Sequence, residues 1–155
     1  MKLLYIVVLI AVCQTGSGQV FDLSTGQKIL STGIDLISAK KLLANKYNFH
    51  LTGDTTYSGN VNWVFESKSE NKYELILLYS TAFHQVDYIQ FFDNINQAAN
   101  YKQLIQKMGY SPQGVKYSNG GRIAMHGYQK GKLLFVIELG GEPGRCKMHF
   151  SKLED

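Results

Sequence analysis

The feature that most constrains this chain is a change of hydrophobic period that occurs twice. Leu36, Lys40, Leu43 and Tyr47 recur at helical spacing, with Ile37 and Ala44 beside them. Thr32 and Asp35 stand three residues apart ahead of this stripe, as a capping box requires, and the helix should fade near Asn48. Beyond a turn-rich stretch over residues 52–60 the period becomes two. Val61, Trp63 and Phe65 form one run. Tyr73, Leu75, Leu77 and Tyr79 form a second after a polar link over residues 67–72. Val86, Tyr88, Gln90 and Phe92 form a third. The order then begins again. Asp93 or Asn94 is placed to cap a helix whose stripe is Ala98, Tyr101, Ile105 and Met108, with Gly109 at its end. Three more alternating runs follow. Ile123 and Met125 lie in the first, Leu133, Phe135, Ile137 and Leu139 in the second, and Cys146, Met148 and Phe150 in the third. Asn119-Gly120, Lys130-Gly131 and the glycine-rich residues 140–144 mark the turns.

The two halves align at an offset close to 61 residues. Lys41, Leu43, Lys46 and Phe49 fall on Lys102, Leu104, Lys107 and Tyr110. The pattern predicts an α+β chain built as a tandem αβββ duplication, with pseudo-repeats over 32–93 and 94–151. Such units most simply form one antiparallel sheet of about six strands with two helices on one face. Residues 19–31 are weakly patterned and read as a loop, an edge strand or a segment laid over the core.

The start of the chain reads differently. Lys2 precedes an apolar run over residues 3–13, too short for a membrane span, and small residues Gly16 and Gly18 follow. This predicts a signal peptide over 1–18 and an exported domain over 19–155, secreted or periplasmic, with no stable membrane span after cleavage. Cys146 is then the lone cysteine, so stability must come from packing rather than a disulfide. The formal net charge is +4, but the lysines are scattered and form no basic run, which argues against a nucleic-acid partner.

Two sheet faces follow from the alternation. One carries Trp63, Phe65, Leu75, Leu77, Tyr88, Phe135, Ile137, Met148 and Phe150 and is the expected helix-facing core. The other has polar ends, including Asn62, Glu66, Glu74, Glu138, Lys147 and His149, and an apolar middle of Ile76, Leu78, Ile89, Phe91, Leu134 and Val136. An apolar patch with a charged rim marks an interface unless another segment covers it. Residues 19–31 or 49–57 are the available covers.

Chemistry is hard to find. The four histidines, His50, His84, His126 and His149, have no metal-ligand spacing, and no metal or cofactor is expected. Cys146 and His149 are the only nucleophile–base pair close in sequence, but their odd spacing puts them on opposite faces of a strand. The glycine clusters lead into strands rather than helices, so they cradle no phosphate. Tyrosine is abundant at ten residues, which suits either a core border or an interface.

In element order, the repeated helix and strands across roughly residues 32–150 resemble the tandem layout of β-lactamase-inhibitor-protein-like domains, without their disulfide cysteines. The resemblance implies a fold and no particular functional residue. The functional expectation is a non-catalytic exported binding module acting through a sheet face on a protein partner or as a homodimer. The alternatives are a small exported enzyme whose residues converge only in three dimensions, or a carrier of lipid or another small ligand.

Overall fold

Eight strands hydrogen-bond into a single antiparallel sheet, and the described helices pack on one of its faces. The computed structural model describes residues 21–57, 60–67, 74–80 and 85–153. The leader expected over 1–18 and the polar link over 68–72 lie outside these residues. The chain runs α1 (Leu23–Thr32), α2 (Leu36–Tyr47), β1 (Phe49–Tyr57), β2 (Asn60–Ser67), β3 (Glu74–Ser80) and β4 (Gln85–Asn94). A 3-10 turn (Ile95–Gln97) leads into α3 (Ala98–Lys107), and β5 (Ser111–Ser118), β6 (Ile123–Lys130), β7 (Leu133–Leu139) and β8 (Arg145–Lys152) follow.

The α+β class and the antiparallel sheet agree with the sequence pattern, but among the described residues there are eight strands rather than about six and three α-helices rather than two. The two additional strands are β1 and β5, which form the outer edges and are largely exposed, so neither shows clean alternation. The additional helix is α1. Asp22 caps it, its carboxylate accepting from the Ser24 backbone N–H at 2.8 Å. Asp35 caps α2 in the same way through Ser38, so Thr32 ends the first helix instead of starting the second.

The strand order is β1-β2-β3-β4-β8-β7-β6-β5. Each half is therefore a helix followed by a four-stranded meander, and the halves join where β4 meets β8. Ile89 and Phe150, 61 residues apart, pair directly at that junction, and both are fully buried. The outer strands also correspond: a bulge interrupts β1 between Leu51 and Gly53, and another interrupts β5 between Pro112 and Gly114.

Phe21, Phe49, Phe65, Phe91, Tyr101, Phe135 and Phe150 fill the space between helices and sheet. Each buried aromatic or aliphatic side chain contributes on the order of 2 kcal/mol relative to exposure. The Phe21 ring meets Phe91 edge-on at 5.2 Å, and Tyr101 meets Phe91 at 5.9 Å. Residues 21–32 thus belong to the helix layer and residues 49–57 form an edge strand. Neither covers the opposite face of the sheet.

One further expectation is corrected inside β4. Tyr79 pairs with Val86 and Leu78 with Tyr88, leaving Asp87 as an extra residue. This β-bulge shifts the side-chain phase by one. Val86, Ile89 and Phe91 all point into the core and are fully buried, whereas Tyr88 points away from it. Ile89 and Phe91 are therefore core residues and not part of the outer patch. In β6, Tyr128 faces the core opposite Phe135, while Met125 stands opposite Glu138 on the outer side.

Candidate functional site

The helix-free face is built from alternate residues of neighbouring strands, and their register can be followed across the sheet. Val64, Ile76, Gln90, His149 and Val136 form one cross-strand row. Asn62, Leu78, Tyr88, Ser151 and Leu134 form the next. Four of the sequence-predicted residues, Ile76, Leu78, Leu134 and Val136, lie here at partial exposure, joined by Val64. They fall into two aliphatic groups, one on β2 and β3 and one on β7, rather than one continuous patch.

Between the groups runs a polar chain. The Tyr88 hydroxyl contacts His149 Nδ1 and lies 3.0 Å from Gln90 Oε1. His149 Nε2 is 3.1 Å from Glu138 Oε2, and the same oxygen accepts the Lys147 ammonium at 3.0 Å. The chain is well screened from water: the side chains of Glu138 and His149 are 13 % and 18 % exposed. Burial pushes the Tyr88 phenol up to about 12, and the nearby Glu138 carboxylate adds to the shift. Burial also lowers the His149 imidazole below its usual range. The Glu138 hydrogen bond works against this and the Lys147 charge works with it.

Two concavities flank the chain. One, of about 570 Å³, has Val64, Ile76 and Leu78 as its floor, with Thr55, Asn62, Gln90 and Tyr88 around them. The other, of about 200 Å³, is bordered by Phe92, Ile123, Arg145 and Lys147 with Glu138 and Glu142. Arg145 lies over the Phe92 ring at 4.7 Å and reaches Glu142 at 3.4 Å. Tyr88 borders the first concavity and Glu138 the second, so His149 links an uncharged depression to a charged one.

Sequence reasoning placed Glu138, Lys147 and His149 on the polar ends of this face but did not bring them together. Their meeting requires β8 to lie between β4 and β7, and Tyr88 reaches them only because the bulge turns it outward. Cys146, on the other side of β8, is buried and donates to the Asp93 and Asn94 carbonyls at 3.6 and 3.4 Å. Burial pushes its thiol up to about 11, which suits a structural role. His126 also faces the helix layer, 3.4 Å from the Lys102 ammonium. Among the described residues, no three His, Cys, Asp or Glu side chains stand together as a metal site would need, and no helix is long and apolar enough to cross a membrane.

No protein-family model, curated protein or solved structure matches this chain.

Proposed function

We propose that this protein is an exported, non-catalytic binding module that holds a protein partner against the helix-free face of its sheet, with a second copy of the chain as the partner open to direct test. The observation that carries this reading is the set of Val64, Ile76, Leu78, Leu134 and Val136, aliphatic side chains left partly exposed on a face that no described element covers. The polar chain between them supports the same reading. Its members are already paired with one another, so a partner meets side chains that are held in place before it binds. An enzyme is the weaker reading, because the Tyr88 phenol is a poor nucleophile at about 12 and both nitrogens of His149 are engaged. The tandem helix-and-meander order, which resembles β-lactamase-inhibitor-protein-like domains, is compatible with a binding role.

Light scattering over a concentration series tests the proposal. The expected result is a mass that rises with concentration for the wild type and stays monomeric for Ile76→Lys and Val136→Lys. Both variants should melt within roughly 3 °C of the wild type, since substitutions at a true surface cost little. A wild type that is monomeric throughout would remove self-association. Variants that unfold would show that the face is covered core, and the reading would fail.

A further inference from the structure

The depression over β2, β3 and β4 has no charged side chain in its lining. Its floor is aliphatic and its polar groups are two amides, a threonine hydroxyl and a phenol. It is open to solvent on one side, and its volume of about 570 Å³ gives a small molecule room to lie against that floor. A charged ligand would meet no counter-charge in this lining, so the chemistry favours an uncharged one.

We propose that this depression is a small-molecule site for an uncharged apolar ligand bearing a hydrogen-bond acceptor, and that proton uptake by His149 turns the Tyr88 hydroxyl toward that acceptor. The site lies on the proposed contact face but does not require a protein partner.

The coupling follows from counting protons. The Tyr88 hydroxyl has one hydrogen and two acceptors within reach, Gln90 Oε1 and His149 Nδ1. Glu138 faces Nε2, which fixes the N–H of the neutral imidazole on that side and leaves Nδ1 bare. The Tyr88 hydrogen is then drawn to His149 and away from the depression. When the ring takes a proton from solvent, Nδ1 becomes a donor and hydrogen-bonds to the Tyr88 oxygen. The hydroxyl hydrogen is released to point at Gln90 or at a ligand acceptor beside it.

The groups that set this equilibrium are few. Tyr88 faces His149 from β4, Glu138 from β7 and Lys147 from β8 itself. Further out, β3 contributes Glu74, Ile76 and Leu78 to this face, and β6 contributes the uncharged Ile123, Met125, Gly127 and Gln129. Arg145 with its partner Glu142 borders the concavity beyond Lys147 and Glu138. The remaining charge near Tyr88 on β4 is Asp87, the extra residue of the bulge. Glu138 favours the imidazolium, while burial and Lys147 oppose it, so the proton is taken up below the usual histidine range.

Fluorescence titration of the purified protein with two neutral dyes tests the proposal. Nile red carries a ketone acceptor, and N-phenyl-1-naphthylamine carries none. Both should bind saturably. Nile red should bind roughly tenfold more tightly at about pH 5 than at about pH 8, whereas the naphthylamine should show no such step. Tyr88→Phe should keep Nile red binding but lose the pH step. Leu78→Trp should fill the depression and abolish binding of both dyes; if that variant fails to fold by circular dichroism, Ile76→Arg takes its place. The proposal is overturned if neither dye binds saturably or if binding survives in the folded pocket variant. It is equally overturned if the pH step persists in Tyr88→Phe or appears equally with both dyes. These readings are independent of the oligomeric mass, so a monomeric protein that binds dye would refute the self-contact and leave the pocket standing.

Discussion

Asp93 is a carboxylate buried to 3 % exposure, a placement that is costly unless the group is hydrogen-bonded. The Tyr101 hydroxyl donates to its Oδ2 at 2.7 Å, and the Asn94 backbone N–H donates to its Oδ1 at 2.7 Å. Tyr101 is itself fully buried, and both desolvation and the nearby Asp93 hold its phenol protonated. Tyr101→Phe keeps the ring and removes one buried hydrogen bond to Asp93. The expected cost is about 1–3 kcal/mol, read as a lower urea midpoint with an unchanged slope. An unchanged midpoint would mean that water replaces the hydroxyl. The sequence marks Asp93 and Asn94 as alternative caps for the second helix. Neither caps α3, which starts behind Gln97 with no side-chain cap; Asn94 instead caps the 3-10 turn ahead of it, its side chain accepting from the Asn96 N–H at 2.9 Å. Asp93 goes inward because the bulge in β4 has shifted the phase behind it. That choice is invisible to a pattern read with unbroken period two.

Among the elements, α1 shows how close packing overrides helix propensity. Gly26 lies in the middle of this helix, where alanine would ordinarily gain about 1 kcal/mol. A Cβ there would sit 3.1 Å from both the Phe150 and Phe21 rings, and both residues are fully buried. Gly26→Ala is therefore expected to destabilise by roughly 1–2 kcal/mol, because overpacking exceeds the propensity gain. Thermal unfolding of the variant measures the balance, and a rise in midpoint would show that the rings move aside freely. Its lower neighbour α2 is tied on by Tyr47, whose hydroxyl donates to Thr25 at 2.7 Å, and by Lys46, which reaches Asp22 at 2.9 Å. α1 escaped the sequence reading because its short stripe of Leu23, Ile29 and Leu30 is interrupted by glycine and hydroxyl residues. The helix of Leu36, Leu43 and Tyr47 was legible, as were the rows through Trp63, Leu75, Phe135 and Met148, since each keeps one period from end to end. Of the candidate face, Ile76, Leu78, Leu134 and Val136 were legible for the same reason. Ile89 and Phe91 were assigned to the wrong side, and the Tyr88–His149–Glu138 contact depends on a strand order that alternation does not encode.

At the scale of the molecule, two partly buried histidines make stability depend on pH. Burial lowers both His126 and His149, with Lys102 and Lys147 adding to the respective shifts. The unfolded chain then binds more protons than the folded one in the window below the ordinary histidine value of 6.5. Their contribution to stability is complete above that value and is lost as pH falls through the window. Melting temperatures are expected to decline between about pH 7 and about pH 5, and less steeply in a His126→Gln, His149→Gln double variant. An equal decline in that variant would place the titration elsewhere. The two halves also end alike, in edge strands that each carry a bulge, beside Gly53 in β1 and Gly114 in β5. A straight, unpaired strand is a template on which further chains can add without limit. Here a bulge interrupts the template at both margins, a feature that disfavours growth of the sheet by edge-to-edge addition on either side. The same pair of bulges leaves the broad faces of the sheet as its longest regular surfaces.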